Sequence, residues 1–277
     1  MPEGDTIFRA ARTLHRALAG KRVVRFESVF PALTRVHDDS PLTDRLVESV
    51  SSAGKHLLMR FSGDLILRTH MRMNGSWHIY RPGETWQRPR RDMRVVVATD
   101  DFVAVGFNVP VAEFIAARKL ARHDELRRLG PDLLGDRLDE ADVLARMRAR
   151  PRDEIANVLL NQQVLAGIGN VYKSEVLFTC GVSPFATVQD LDDATLSKLI
   201  ATGRRFLQAN VHTSLAPMTT YTGFRRTTGR DNPRERLWVY GRARLPCRRC
   251  GTLVRVKKQG AGVRLTYWCP ACQPASP

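Results

Sequence analysis

Cys247-Arg-Arg-Cys250 and Cys269-Pro-Ala-Cys272 are two Cys-x-x-Cys pairs, eighteen residues apart, near the end of a 277-residue chain. That spacing folds a single β-hairpin whose ends bring four thiolates to a tetrahedral Zn²⁺. Four cysteines leave no open coordination position, so the metal is expected to be structural and not catalytic. The hairpin carries Arg255, Lys257, Lys258 and Arg264 with Gly260 and Gly262, a basic tip suited either to phosphate or to plain solvation. The fifth cysteine, Cys180, follows Leu177-Phe178 at the end of an expected helix and reads as a small core residue.

Upstream of the hairpin the pattern is helical, with helices expected over 140–150, 153–163, 170–180 and 193–211, stopped by Pro151 and Gly181. Asn161-Gln-Gln-Val-Leu-Ala-Gly-Ile-Gly-Asn170 joins two of them through a double-glycine turn. Such a turn allows close backbone approach and leaves helix N–H groups open to an anion, although a tight helical hairpin needs nothing more. The Thr-, Arg- and Gly-rich stretch 212–235 is expected to be a mobile loop, with strand pattern resuming at Leu237.

In the first part an amphipathic helix is expected from Asp5, with Ile7, Ala10, Ala11, Leu14 and Leu18 on one face and Gly20 past its end. The period then changes to two, with strands expected over 23–30, 57–61, 65–71, 76–80, 94–99 and 102–107, an antiparallel sandwich or barrel. A charged segment ending in Gly-Pro and Gly-Asp suggests a division into a sandwich domain at 1–120, a linker at 121–137, a helical domain at 138–236 and a zinc finger at 237–277.

Lys and Arg number 44 against 28 Asp and Glu, a net charge of +16, and Arg outnumbers Lys. A field of that sign attracts polyanions, and nucleic acid is the leading partner. No apolar run is long enough to span a bilayer and no basic-then-apolar leader opens the chain, so a cytoplasmic protein without membrane association is expected.

Met1-Pro2-Glu3 holds a second chemical possibility. Removal of Met1 would expose the Pro2 amine, and a terminal amine near pKa 8 is roughly a tenth neutral at pH 7, against roughly one in a few thousand for lysine. Neutral amines form Schiff bases with sugar carbons, and the adjacent Glu3 could move the proton. Many chains begin Met-Pro, so the tripeptide alone does not decide. Lys55, before an expected strand, reads alone as a solvent-facing gatekeeper. Met73, in the turn Met71-Arg72-Met73-Asn74-Gly75, reads either as a wedge for a base stack or as a residue tucked under the sheet.

Taken together, MPEG, GKHLL, HMRMNG, RRLGPDLL, LLNQQVLAGIGNVYKSE, VYGRARLPCRRCG and VRLTYWCPACQ run collinearly along the whole chain. In this order they resemble the formamidopyrimidine-DNA glycosylase and endonuclease VIII family. The resemblance implies an α+β protein: an antiparallel β-sandwich with an N-terminal helix, a helical domain with a helix-two-turn-helix, and a four-cysteine zinc-ribbon hairpin, with DNA in the cleft between domains. It implies Pro2 as the nucleophile at C1′, Glu3 as general acid/base, Lys55 as a helper in β-elimination, and Arg264 as a phosphate ligand assisting δ-elimination. Arg128 and Asn170 match phosphate-binding positions, Met73 with its neighbour Arg72 matches the inserted wedge, and Cys247, Cys250, Cys269 and Cys272 match the ligands of one structural Zn²⁺. Damaged DNA is then the partner of a bacterial, nucleoid-associated monomer with no nucleotide cofactor.

The purine-lesion branch has Asp-Pro-Arg-Arg-Phe-Gly where this chain reads Asp101-Phe-Val-Ala-Val-Gly-Phe-Asn108. The missing Arg-Phe pair and the MPEG opening resemble the endonuclease VIII branch, so oxidised pyrimidines are the expected substrates. Oxidised purines, or damage binding without catalysis, are the alternatives. Asp5-Thr6 stand where both branches commonly read Pro-Glu, a departure that bears on lesion placement more than on imine formation.

Overall fold

The computed structural model describes residues 2–212, 225–230 and 232–275. They form two compact units, one running to Arg128 and the other beginning at Leu129. The junction lies inside the 121–137 stretch, and Leu133, just beyond it, is fully buried in the second core.

The first unit opens with α1 (Gly4–Leu18), whose buried stripe is Ile7, Ala10, Ala11, Leu14, Ala17 and Leu18. There follow β1 (Arg25–Ser28), α2 (Pro31–Asp39), β2 (Val47–Ala53), β3 (His56–Phe61), β4 (Leu65–His70), β5 (Ser76–Tyr80), β6 (Met93–Ala98), β7 (Val103–Phe107), β8 (Val111–Ala116) and the single turn α3 (Asp124–Arg127). The strands make two four-stranded antiparallel sheets, ordered β1-β6-β7-β5 and β2-β3-β4-β8. Val50, Met59, Phe61 and Leu67 of one sheet and Trp77, Ile79, Val95 and Val97 of the other close with the α1 stripe into one core. This is the expected sandwich with its helix.

Strands β5, β6 and β7 read as nearly unbroken apolar runs because both of their faces are covered. Trp77 and Ile79 enter the main core, whereas Tyr80, Val96, Val105 and Phe107 form a second cluster on the opposite face, under Trp86. Ser76 and His78 share that second face with Tyr80, by the two-residue strand period.

The second unit contains α4 (Glu140–Arg148), α5 (Ile155–Leu160), α6 (Asn170–Cys180), α7 (Asp193–His212) and the hairpin β9 (Arg255–Gln259) and β10 (Arg264–Trp268). Asp139 caps α4 by accepting the Asp142 N–H at 2.9 Å. Every residue of α6 from Asn170 to Phe178 is buried. A helix buried all round must pair its polar side chains internally, and those of α6 hold the rest of the unit, as described below.

Sequence pattern and structure differ at several elements. Strand β2, Val-Glu-Ser-Val-Ser-Ser-Ala, is a sheet edge with only two buried side chains, and β8 is the opposite edge with one, so neither alternates strongly. Helix α2 buries Leu33 alone and starts at Pro31. Helix α5 stops at Leu160 because Asn161 turns to ψ 106, and the expected strand at 23–30 shrinks to β1. Residues 238–254 form turns around the first cysteine pair instead of strands. Of the loop expected at 212–235, residues 213–224 and 231 lie outside the described residues. Leu14→Ala should destabilise the protein by about 2–5 kcal/mol, since Leu14 is fully buried where α1 meets both sheets; urea unfolding measures this.

Candidate active site

The amino end is built into the first unit. Glu3 is fully buried at the N-cap of α1, its carbonyl accepting the Thr6 and Ile7 N–H groups at 3.0 and 3.1 Å, and Pro2 precedes it half-buried. The positive end of the α1 dipole therefore lies beside this carboxylate and the Pro2 nitrogen.

Pro2 lines a cavity of about 390 Å³ together with Thr6, Met73, Asn74, Ser76, Arg88 and Asn108. Its far wall is the turn between β4 and β5. Met73 is 51% exposed there, so the turn does not tuck it under the sheet. Arg72 sits at φ 45, a left-handed conformation costly for a residue with a Cβ, and its N–H is received by His70 Nδ1 at 3.0 Å. Gly75 closes the turn because a Cβ there would stand 2.6 Å from the Met71 carbonyl oxygen. The result is an apolar side chain held out from a rigid loop beside Pro2.

Lys55 lies in the turn between β2 and β3, and its charge acts on both His56 and His70. Behind it Arg68, almost completely buried, is paired with Glu113 and Glu125 and donates from Nε to His56 Nδ1 at 3.2 Å. The His56 and His70 rings meet edge to face at 4.8 Å. Burial, then Arg68, lowers His56 to about 3; burial, then Lys55, lowers His70 to about 4. Both imidazoles are neutral at pH 7, so neither adds a positive charge beside Lys55. Arg128 ends α3, exposed, 4.0 Å from Asp124, and is not among the cavity-lining residues.

In the second unit the Sγ atoms of Cys247, Cys250, Cys269 and Cys272 all lie within 4.8 Å of one another. Cys250 and Cys269 Sγ are 3.5 Å apart, and Cys247 and Cys272 Sγ 3.9 Å. Zn–S bonds of about 2.3 Å in a tetrahedron put sulfurs roughly 3.8 Å apart, so the four thiolates fit one structural Zn²⁺. The Arg249 N–H points at Cys247 Sγ from 3.4 Å, a further hold on that ligand.

The hairpin is stapled to α6 and to the start of α5. Asn170 Nδ2 donates to the Leu265 carbonyl at 2.7 Å, Lys173 Nζ to Thr266 Oγ1 at 2.7 Å, and Gln259 Nε2 to Glu154 Oε2 at 2.7 Å. Asn170, at the first turn of α6, thereby fixes the residue next to Arg264, and the structure brings these two expected phosphate ligands together. Gly260 at the hairpin tip has φ 69 and lies so close to α5 that a Cβ would come 2.3 Å from Asn157 Oδ1. On the other flank the Glu175 carboxylate receives the N–H groups of Trp238, Val239 and Tyr240 at 2.8, 2.9 and 2.8 Å and the Thr227 hydroxyl. Burial raises its pKa and those donors oppose the shift.

Comparison with known proteins matches residues 1–122 to the formamidopyrimidine-DNA glycosylase N-terminal domain and 129–221 to the formamidopyrimidine-DNA glycosylase H2TH domain. Residues 244–275 match the zinc finger found in FPG and IleRS. A probable endonuclease 8 2 of Streptomyces coelicolor is 43% identical over 99% of this chain and 94% of its own length. The chain belongs to the formamidopyrimidine-DNA glycosylase and endonuclease VIII family. Another member, the DNA-(apurinic or apyrimidinic site) lyase Nei2 of Mycolicibacterium smegmatis, is 38% identical over the full length of both chains. Lactococcus lactis Fpg, solved with DNA containing an abasic site, shares the fold at a TM-score of 0.83 and 22% identity, covering 99% of this chain and 100% of that one.

Several residues that build the site went unread in the sequence. Arg68 and His56 sit on neighbouring strands, but a buried charge on a strand declares itself only through partners that are distant in sequence. Glu175 gave a readable signal, an acid inside the apolar helix Asn-Val-Tyr-Lys-Ser-Glu-Val-Leu-Phe. Ser76, His78 and Tyr80 alternate on a strand whose other face is core, another pattern open to reading.

Two outcomes follow from this geometry. His56, His70 and His78 have pKa values lowered from 6.5 to about 3, 4 and 4. The unfolded chain therefore binds protons that the folded chain excludes, and their stabilisation is complete above pH 6.5 and lost as pH falls through 4 toward 3. The urea midpoint should drop across that window, with a shallower drop in His56→Gln. Chelating the zinc should unfold the hairpin and lower DNA affinity, read by fluorescence anisotropy, and unchanged affinity would show the hairpin dispensable.

Proposed function

We propose that this protein is a bifunctional DNA glycosylase and abasic-site lyase of base-excision repair, acting on oxidised pyrimidines through Pro2. The observation that carries the reading is Pro2 lining the same cavity as the exposed wedge Met73, with Glu3 buried beside it. The names of relatives at 38 to 43% identity agree with it. No helix among the described residues is long and apolar enough to cross a membrane.

With Met1 removed, the Pro2 nitrogen attacks C1′, the base leaves with the electron pair of its bond to C1′ and takes up a proton, and loss of the proton from the Pro2 nitrogen frees the lone pair that expels the ring oxygen to give an iminium ion. Glu3 gives a proton to the ring oxygen as the sugar opens. The iminium acidifies the C2′ proton, whose loss expels the 3′ phosphate; a second elimination expels the 5′ phosphate. Lys55, among neutral imidazoles, supplies charge and proton transfer to the elimination steps. Extruding a nucleotide costs a few kcal/mol, offset when Met73 fills the gap and Arg264, Asn170 and the basic hairpin grip flanking phosphates. Arg128, exposed at the end of α3, adds a phosphate contact to the first unit. A monomer suffices for this chemistry, since each proposed step uses residues of one chain.

The missing Arg-Phe pair around Asn108 supports pyrimidine lesions. Duplexes bearing thymine glycol or 5-hydroxyuracil should be cleaved in preference to 8-oxoguanine, and the reverse preference would overturn the lesion class. Borohydride should trap the protein on abasic DNA, and Pro2→Gly should abolish the adduct. Arg264→Ala should weaken binding and shift product from δ- toward β-elimination, read on a denaturing gel.

A further inference from the structure

Three polar side chains stand in a row on the face of β5 opposite the main core, and the first of them lines the cavity that holds Pro2. Ser76 Oγ lies 3.0 Å from His78 Nε2, and His78 Nδ1 lies 3.2 Å from Tyr80 Oη. Tyr80 Oη in turn accepts the Gln87 N–H at 3.1 Å, tying down the connection that carries Arg88 to the cavity wall.

Proton counting fixes the direction of this row. Tyr80 is 3% exposed, and burial raises its pKa, so the phenol keeps its proton. A buried hydroxyl proton needs an acceptor, and His78 Nδ1 is the one within reach among the described residues. His78 is neutral, lowered to about 4 by burial first and then by Arg88, and an imidazole accepting at Nδ1 carries its proton on Nε2. That N–H donates to Ser76 Oγ. The Ser76 hydroxyl then accepts from His78, its own proton is not used in that bond, and the residue lines the Pro2 cavity.

Resting on the glycosylase reading above, we propose that Ser76, set by His78 and Tyr80, is a specificity-determining donor to a carbonyl oxygen of the extruded base. The ligand class is a nucleobase oxygen acceptor in the Pro2 cavity. His78 and Tyr80 are positioning residues: neither touches the base, but together they dictate which way the serine proton points. A site that has committed a donor in this way discriminates against bases offering another donor at the same place. Arg88, on the same wall and held through Gln87, adds a second donor.

The test compares two substrates in one duplex context, one carrying 5-hydroxyuracil and one a preformed abasic site. Ser76→Ala should lower kcat/KM for base removal by about 5- to 10-fold, the worth of one hydrogen bond, while incision of the abasic site stays within about twofold. Ser76→Thr keeps the hydroxyl and should restore base removal, and Tyr80→Phe, which frees the imidazole tautomer, should give an intermediate loss on the lesion substrate only. Circular dichroism melts confirm that each variant folds; a variant that does not fold is replaced in the comparison by Ser76→Cys, expected to match Ser76→Ala. Unchanged base removal in Ser76→Ala, or an equal loss on both substrates, would overturn the assignment, the second outcome pointing to a phosphate or purely structural role. Failure of the wild-type protein to form a borohydride adduct on abasic DNA would instead sink the glycosylase reading itself.

Discussion

The first unit depends on burial of one stripe of α1. Isolated helices of this length are marginal in water, so α1 persists because Ile7, Leu14 and Leu18 are taken out of solvent by two sheets at once. Each such side chain contributes about 1.5–3 kcal/mol. Their spacing along the helix fixes its rotation, and its rotation fixes where residues 2 and 3 stand. The buried Glu3 carboxylate and the half-buried Pro2 are thus held by hydrophobic packing along the helix that follows them.

The second unit is organised around α6 by the opposite device. Its apolar residues pack all round, and Asn170, Lys173 and Glu175, with no solvent to face, become directional tethers. Asn170 and Lys173 draw in β10, and Glu175 draws in the turn before the first cysteine pair. The zinc site then closes a hairpin whose two ends are already registered against one helix. Arg264 inherits its position from three sources: the metal, the α6 tethers, and the tip contact at Gly260.

Much of this was legible in the sequence, for reasons that differ from element to element. Helix α1 follows strong periodic burial, strands β3 to β7 follow short buried runs bounded by polar turns, and the four-cysteine site follows spacing alone. Strands β2 and β8 were not legible because sheet edges need bury little, and α2 because a two-turn helix with one buried residue has no period to detect. The Ser76, His78 and Tyr80 row lay in plain view, but its meaning depends on Trp86 and Phe107 covering that face, a long-range fact that no local pattern carries. The Arg68 cluster draws its partners from β3, β8 and α3, and only the folded sheet assembles them.

The Glu175 carboxylate has one more consequence. It gathers donors from Thr227 and from Trp238 to Tyr240, points on either side of residues 228–230 and 232–237, which are exposed or half-buried. A protease cutting that stretch would leave both new ends anchored to the same buried oxygen atoms. The nicked molecule would run as two fragments on a denaturing gel and as one species in a sizing column, a noncovalent splice in place of a peptide bond.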